Sequence, residues 1–163
     1  MGDAQSGHEK TLTGLLAALA GANLIYGLGM LESGVTFDYG QLLMDHEFAK
    51  LIKFSLAGML VTDETLMVDD IHTVGSSGDF LSLDSTYKYM RSQSQPKLID
   101  RRVREDWAAG GGTDLYERAT AEARRLLETH QPEPLPDETL AALRDIVGQT
   151  ESELGVEPAR VAF

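Results

Sequence analysis

The feature that most constrains the fold of this chain is a glycine-rich segment that directly follows an apolar helix signal. The segment runs from Asn23 to Gly34 and places Gly27 and Gly29 close to a single carboxylate, Glu32. Glycine adopts backbone conformations that are closed to other residues, and its missing side chain lets a ligand approach the main chain. Loops positioned by a rigid scaffold often carry binding residues. The segment is therefore a candidate binding loop.

The elements around this segment alternate between helix and strand. Ser6 and Glu9 have the spacing of a capping box, and leucines at helical intervals predict a helix over about 9–22. The apolar triplet 24–26 predicts a short strand directly after it, and a long helix is predicted over about 39–56 with Asp38 as its N-cap. Helix, strand and long helix in this order predict an α/β fold with a parallel sheet and crossover helices.

The second half of the chain is predicted to be helical and strongly charged. The spacing of apolar residues and helix-breaking residues predicts helices from Thr62 or Asp63 to before Gly75, after Asp84, and over about 100–109, 113–130 and 137–154. The last two helices are amphipathic and rich in charged side chains. We therefore expect them to pack as a peripheral appendage.

Charge and composition exclude several classes of function. The formal net charge is −12, and the one basic run, Arg101–Arg104, is surrounded by acids, whereas nucleic-acid binding requires a concentrated basic surface. No apolar run reaches the roughly 18 residues of a transmembrane helix, and no signal peptide is visible at the N-terminus. We expect a cytoplasmic protein that binds neither nucleic acid nor membrane.

Candidate metal and nucleophile sites are sparse. The chain has no cysteine, and no two histidines have the helical i, i+4 spacing of a metal pair among His8, His46, His72 and His130. We predict no directly bound metal, and we predict a structural or surface role for the acids and the histidine at 45–47. His8 follows a polar loop at the start of a helix, so both a functional role and a surface role stay open.

The carboxylate of the glycine-rich segment has aromatic and thioether neighbours in the sequence. Glu32 lies near Tyr26, Met30 and Phe37. A carboxylate beside an aromatic surface attracts a tertiary or quaternary ammonium group through charge and cation–π contact. The alternative is a loop acid beside three core side chains. The glycine spacing matches neither a dinucleotide-binding nor a P-loop fingerprint.

Several segments in a fixed order resemble the trimethylamine methyltransferase family. They are residues 3–10 (DAQSGHEK), 19–34 (LAGANLIYGLGMLESG), 36–39 (TFDY), 63–66 (DETL), 74–75 with 78–81 (VG and GDFL), and 96–102 (PKLIDRR). The resemblance extends from Asp3 to about Val147. It implies a βα-barrel enzyme that moves a methyl group from a methylamine or betaine to the cobalt of a partner corrinoid protein. Some family members carry pyrrolysine, at a position that we expect just before Asp3.

A complete βα-barrel needs roughly 250 residues, so the resemblance implies a C-terminal portion of a barrel. The alternative fold is a free-standing α-rich domain. We assign residues 1–95 to that portion and residues 96–163 to a helical extension packing on it. Because a partial barrel exposes sheet edges and apolar helix faces, we expect a homo-oligomer or the missing part to cover them. The alternative to a methyltransferase is a catalytically silent structural or interaction domain derived from the family.

The barrel interpretation also predicts a site at one rim. The predicted roles are donor binding by Tyr26, Met30 and Glu32, close approach of the corrinoid at Gly27, Gly29, Asp3 and Gln5, and a catalytic position facing the cobalt for His8. The cofactor is the corrinoid of the partner protein. These roles follow from position and chemistry within the implied barrel.

Overall fold

A computed structural model describes residues 2–156. The chain divides into two compact units, Met1–Glu128 and Thr129–Phe163. The described residues are mostly helical, with one small two-stranded sheet. None of the helices in residues 2–156 combines the length and apolarity needed to cross a membrane.

The first helix, α1, spans Ala4–Leu19 and begins earlier than predicted. Asp3 is its N-cap, and the side chain of Asp3 accepts a hydrogen bond of 3.0 Å from the backbone N–H of Ser6. A carboxylate at this position satisfies a free N–H of the first turn. The predicted capping box was therefore wrong, because Ser6 lies inside a helix that Asp3 has already started.

The glycine-rich segment forms a small antiparallel hairpin. Strand β1 spans Met30–Leu31 and pairs with β2, Thr36–Phe37. A tight 3-10 turn over Glu32–Gly34 joins them. Glu32 and Ser33 have φ angles of 52° and 56°, which is unusual for residues other than glycine. The hairpin thus presents a strained turn that carries the candidate carboxylate.

The predicted strand over residues 24–26 was wrong for the residues described. The segment belongs to no strand, and Leu24 and Tyr26 are 82% and 81% exposed. A strand requires a neighbour whose backbone pairs with it, and no part of residues 2–156 supplies one for this triplet. The apolar character of residues 24–26 predicted a preference for extended backbone, but it could not predict whether a neighbouring strand pairs with them.

Helix α2 spans Tyr39–Leu56 and confirms the predicted long helix and its Asp38 N-cap. It packs against α1 across small residues. A Cβ atom at Gly14 would lie 3.0 Å from Ile52 Cδ1, and one at Gly7 would lie 3.5 Å from the ring of Phe48. Glycine on α1 therefore lets the two helices approach closely.

Short helices follow α2. They are α3 (Asp63–Leu66), α4 (Val68–Val74), α5 (Asp84–Tyr89) and α6 (Arg104–Ala109). The helix predicted from Thr62 or Asp63 to Gly75 is broken at Met67, which adopts a left-handed φ of 51°. The helix start predicted at Thr62 or Asp63 is confirmed, with Thr62 as the N-cap of α3.

Helix α7 spans Leu115–Thr129 and packs on the start of α2. A Cβ atom at Gly40 would lie 2.6 Å from Thr120 Oγ1, so the two helices meet closely at this glycine. Ala119 and Ala123 are buried in α7. The small side chains on both helices explain how α7 fits against α2.

The second unit contains α8, Asp137–Leu154, which confirms the predicted last helix. It ends at Gly155, whose left-handed φ of 64° terminates the helix. Within the described residues of this unit, α8 has no buried residue.

Candidate functional site

Two cavities flank the glycine-rich segment. The first, of about 340 Å³, is lined by Lys10, Thr13, Gly14, Ile25, Tyr26, Gly27, Leu28, Met30, Asp45, Phe48, Ala49 and Ile52. The second, of about 370 Å³, is lined by Asp3, Gln5, Ser6, Glu9, Lys10, Met30, Leu31, Glu32, Ser33 and Gly34. Met30 and Lys10 line both cavities, so the start of α1 and the hairpin form adjoining concave surfaces.

A buried carboxylate fixes the loop between these cavities. Asp45 on α2 is 6% exposed, and its Oδ2 accepts a hydrogen bond of 2.8 Å from the backbone N–H of Gly29. The same oxygen lies 2.5 Å from Lys10 Nζ on α1. The other oxygen, Oδ1, accepts a 2.6 Å hydrogen bond from Gln41 Nε2. One side chain therefore connects α1, the glycine loop and α2.

The partners of Asp45 extend this network. Lys10 Nζ also contacts the carbonyl oxygen of Gly27 at 3.4 Å. Gln41 is fully buried, and its Oε1 accepts a 3.1 Å hydrogen bond from Ser6 Oγ. A buried charge is tolerated when it is paired and hydrogen-bonded. The network satisfies that condition at both carboxylate oxygens.

Gly29 occupies the tightest position of the loop. Its φ is 79°, and a Cβ atom there would lie 2.7 Å from Phe37 Cε2 and 3.1 Å from Leu42 Cβ. The residue is buried, while Gly27 at φ 108° has only Met30 Sδ near its missing Cβ, at 3.8 Å. The glycine at 29 therefore makes room for internal packing, whereas the glycine at 27 leaves open space.

The residues predicted to bind the donor lie around the two cavities. Tyr26 and Met30 line the first cavity, and Met30 and Glu32 line the second. Tyr26 is 81% exposed, and Glu32 accepts a 2.8 Å hydrogen bond from Thr36 Oγ1 across the hairpin turn. The structure thus places Tyr26 and Met30 on one cavity, and Met30 and Glu32 on the other.

The residues predicted on the neighbouring rim are divided by the structure. Asp3 and Gln5 line the second cavity together with Glu32. Asp3 caps α1, and Gln5 Nε2 donates a 2.9 Å hydrogen bond to Glu9 Oε1. His8 is exposed and does not line either cavity. The predicted proximity of Asp3 and Gln5 to Glu32 is visible, and His8 lies apart from it.

Sequence reasoning missed the Lys10–Asp45 pair. A signal for it exists on α2, where residues 41, 45, 48 and 52 recur at helical spacing. Phe48 and Ile52 face α1, so the polar side chains at 41 and 45 continue an apolar face one turn further. A polar pair on a buried helix face predicts a paired, hydrogen-bonded cluster.

A second buried acid lies on another side of α2. Glu47 is 1% exposed, and its Oε2 accepts hydrogen bonds of 2.6 and 2.9 Å from the backbone N–H groups of Lys97 and Leu98. Lys50 Nζ donates to Oε1 at 3.1 Å. Burial raises the pKa of Glu47, but these three donors outweigh it and hold the pKa below its usual range.

The N-cap of α2 is also engaged by α7. Tyr116 donates a 2.9 Å hydrogen bond to Asp38 Oδ2, and Asp38 Oδ1 accepts from the Gln41 N–H at 2.6 Å. The bond to the Asp38 carboxylate, followed by burial, raises the pKa of Tyr116. The start of α2 is therefore held by both local and tertiary hydrogen bonds.

The described residues hold no group of three or more histidine, cysteine, aspartate or glutamate side chains arranged to bind a metal ion. The first cavity combines mostly apolar walls with the paired Lys10 and Asp45, whereas the second is lined mostly by polar side chains.

The chain matches the family model of trimethylamine methyltransferase over residues 1–155. It is 59% identical to trimethylamine methyltransferase MttB of Desulfitobacterium hafniense over 94% of this chain and 31% of that protein. It is 44% identical to trimethylamine methyltransferase MttB2 of Methanosarcina mazei over 91% of this chain and 30% of that protein. A glycine betaine methyltransferase of Desulfitobacterium hafniense is 30% identical over 95% of this chain and 33% of its own length.

The chain spans about a third of the length of these relatives. The family match nevertheless covers almost all of its residues, including both cavities and the buried network. The sequence resemblance is thereby confirmed, and this chain belongs to the trimethylamine methyltransferase family.

Proposed function

We propose that this chain works as part of a methyltransferase that moves a methyl group from a methylated amine to the cobalt of a corrinoid protein. The observation that carries the proposal is the 59% identity to a trimethylamine methyltransferase across 94% of the chain. Trimethylamine and glycine betaine are the donors that the relatives' names suggest. The partner is the corrinoid protein. The activity belongs to the whole protein, by which we mean a full-length enzyme that contains this chain.

The fold that supports this function is a βα-barrel of which residues 1–95 form a C-terminal portion and residues 96–163 a helical extension. The exposed triplet 24–26 supports the proposal, since apolar residues with extended preference become a strand when neighbouring strands pair with them. The exposed Leu12, Leu16 and Leu19 of α1 support it as well, because a barrel buries one face of each helix. The rest of the barrel, or a second copy in a homo-oligomer, covers these surfaces.

The first cavity suits the methylated end of a donor. Tyr26 and Met30 offer an aromatic face and a thioether, and the remaining walls are mostly aliphatic. Glu32 lies across Met30 in the adjoining cavity. An ammonium group between Tyr26 and Glu32 gains both cation–π and Coulomb attraction. Asp3 and Gln5, on the second cavity, and Gly27, on the first, border the side from which the corrinoid approaches.

The corrinoid of the partner protein would supply the nucleophile that accepts the methyl group, and the demethylated amine would leave with the electron pair of the broken carbon–nitrogen bond. The residues of this chain then need to hold the donor, orient one methyl carbon outward and exclude water from the ammonium group. Such positioning lowers the barrier by converting an encounter into a step between held groups. His8 is proposed to face the corrinoid from the exposed surface of α1. No amino-acid nucleophile is required of the chain.

The alternative function is that of a catalytically silent interaction domain. The exposure of apolar residues on α1 and in the triplet 24–26 favours this alternative, since contiguous apolar surface marks an interaction site. In that case the surface binds another protein without taking part in methyl transfer.

The experiment that separates the two functions uses the whole protein with a corrinoid protein reduced to cobalt(I). Trimethylamine and glycine betaine are offered separately, and methylation of the cobalt is followed by its absorption spectrum. Transfer from either donor supports the methyltransferase. Absence of transfer with both donors, in a folded protein, supports the interaction domain.

Two substitutions then test the donor site. Tyr26→Ala removes the aromatic face, and Glu32→Gln removes the charge while keeping the side-chain size. An exposed cation–π contact is worth about 0.5–1 kcal/mol and a desolvated one about 2 kcal/mol or more. Tyr26 is 81% exposed in this chain, so Tyr26→Ala should weaken donor binding by roughly tenfold or more only if the rest of the protein closes the site. Leu24→Ala is the matched control, because Leu24 is equally exposed but does not line either cavity. Unchanged donor affinity in both Tyr26→Ala and Glu32→Gln would remove these residues from the site.

A further inference from the structure

We infer that Asp45, which lines the first cavity, is a positioning residue that fixes the glycine loop, because both of its carboxylate oxygens are engaged by Gly29, Lys10 and Gln41. The inference rests on the proposed function, because the loop held by Asp45 carries the residues proposed to bind the methylated amine.

The first support is the direct contact between the Asp45 carboxylate and the loop backbone. Oδ2 accepts the N–H of Gly29 at 2.8 Å, and Gly29 is buried. Met30 follows Gly29 immediately and lines both cavities. The hydrogen bond to the backbone of Gly29 therefore sets where the side chain of Met30 lies.

The second support is that Asp45 orients a cation which holds the loop at another point. Lys10 Nζ lies 2.5 Å from Asp45 Oδ2 and 3.4 Å from the carbonyl oxygen of Gly27. The lysine side chain is 25% exposed, and the aspartate side chain 6%. Because the two contacts of Asp45 and Lys10 lie on either side of Leu28, they fix both the entry to the loop and its path toward the hairpin.

The third support is the stiffness of Asp45 itself. Gln41 Nε2 donates to Oδ1 at 2.6 Å, and Gln41 is in turn bonded to Ser6 of α1. Both carboxylate oxygens are thus occupied, and the side chain is held within the α1–α2 packing. A group whose own rotamer is locked can hold a binding loop in one geometry.

The chain offers a matched control in Glu47. It lies on the same helix, it is also buried, and it also accepts backbone N–H groups, but those belong to Lys97 and Leu98. Loss of either acid leaves backbone N–H groups without their acceptor, so both substitutions should destabilise the protein. Only loss of Asp45 should change the donor site.

The test compares Asp45→Ala, Asp45→Asn and Glu47→Ala in the whole protein. Steady-state transfer from trimethylamine to the corrinoid protein gives KM and kcat for each variant. We expect Asp45→Ala to raise KM about tenfold while kcat changes less than twofold, which is the pattern of lost donor binding. Asp45→Asn should recover most of this loss, because the amide oxygen can still accept the Gly29 N–H when Gln41 flips. Glu47→Ala should leave KM unchanged.

Hydrogen exchange provides a second readout that does not depend on activity. Asp45→Ala should accelerate exchange of the amides of residues 27–34 at least tenfold, and Glu47→Ala should accelerate exchange at Lys97 and Leu98 instead. If Asp45→Ala does not fold, Asp45→Asn combined with Lys10→Met removes the charge pair and the Gly27 contact, and faster exchange over 27–34 is expected there.

The outcomes separate this inference from the proposed function. A wild-type protein that transfers no methyl group refutes the function, yet the exchange experiment still decides whether Asp45 holds the loop. Unchanged exchange over 27–34 in Asp45→Ala overturns the inference. An equal rise of KM in Glu47→Ala also overturns it, because the effect would then come from general loosening of α2.

Discussion

Two buried acids on one helix, Asp45 and Glu47, are similarly buried and similarly hydrogen-bonded, but they hold different segments of the chain. They lie two positions apart on α2, which places them about 200° apart around the helix axis. Asp45 binds Lys10 and the glycine loop, and Glu47 binds the backbone of residues 97–98 and Lys50. The Asp45 side of α2 borders the cavity that contains Tyr26 and Met30, and the Glu47 side borders a different cavity of about 400 Å³ and holds the loop at residues 97–98. Burial alone therefore does not distinguish the two acids, whereas the segment that each one holds does.

The largest effect is expected for Asp45→Ala. The substitution leaves the Lys10 ammonium, the Gln41 amide and the Gly29 N–H without their acceptor. Removal of one partner of a buried ion pair costs about 3–5 kcal/mol. The measurement is urea unfolding of the whole protein followed by circular dichroism, with Asp45→Asn as the control of similar shape. If Asp45→Ala lowers the free energy of unfolding no more than Glu153→Ala does, at an exposed acid, then Asp45 does not hold the glycine loop.

The next largest loss of stability is expected for Gly29→Ala, which changes the loop on the Asp45 side of α2 and leaves Asp45 itself unchanged. An alanine at a φ of 79° is strained, and its Cβ would lie 2.7 Å from Phe37 Cε2. Strain and overpacking together should cost about 2–4 kcal/mol. Gly58→Ala separates the two causes, since Gly58 also has a positive φ, of 69°, but nothing lies within 4 Å of its missing Cβ. Equal losses of stability in the two variants would show that packing at Gly29 contributes nothing.

The sequence predicted local features of this region and missed those that depend on tertiary contacts. The N-cap of α2 at Asp38 and the long helix after it follow from local chemistry, and the structure confirms both. The strand over 24–26 was wrong because a strand needs a partner, and none is present in residues 2–156. Asp45 and Glu47 look alike in sequence, as acids on either side of His46. Only the positions of Lys10, Gly29 and residues 97–98, which lie far away along the chain, distinguish them.

The site was predictable to the extent that the glycine-rich segment marked its own position. Met30 lines both cavities, and Glu32 shares one of them with Asp3 and Gln5. Gly29 was predicted to admit the cofactor, but in the structure it is buried and the space beside it is filled by Phe37 and Leu42, whereas Gly27 leaves open space. His8 lies three residues after Gln5 on α1, a spacing that places both on the same side of the helix, but His8 is exposed and lines neither cavity. Residue type and order therefore predicted the position of the loop, whereas helical spacing alone did not predict which residues of α1 line the cavities.

A smaller effect is expected on the other side of α2 for Glu47→Gln. The amide keeps one oxygen to accept from the loop but loses the charge that strengthens the bonds from Lys97, Leu98 and Lys50. Hydrogen bonds to charged groups contribute about 1.5–3 kcal/mol, and part of this should be lost.

The pH dependence of that loss has a defined sign. The pKa of Glu47 is lowered in the folded protein, so its ionised form stabilises the fold above the unfolded pKa of about 4.3. The stabilisation is lost as the pH falls from there through the lowered folded pKa. Urea unfolding of wild type and Glu47→Gln between pH 7 and pH 3 should therefore show two curves that converge in acid. A constant difference between the curves would mean that the charge of Glu47 is not involved.

The smallest loss of stability is expected for Tyr116→Phe, which tests whether the N-cap of α2 stabilises both the Asp45 side and the Glu47 side of the helix. Tyr116 on α7 donates a 2.9 Å hydrogen bond to Asp38, the N-cap of α2. Because the acceptor is a carboxylate, removing the hydroxyl should cost about 1.5 kcal/mol, the lower end of the range for hydrogen bonds to charged groups. Because the pKa of Tyr116 is raised in the folded protein, its protonated form contributes below the unfolded pKa of about 10. That contribution is lost as the pH rises through the folded pKa, and Tyr116→Phe should lack this loss.

Since Asp38 caps the helix that carries both acids, amide hydrogen exchange in Tyr116→Phe should accelerate only slightly, and to a similar degree, in residues 27–34 and 97–98. A change confined to residues 27–34 would instead show that the N-cap supports the Asp45 side alone.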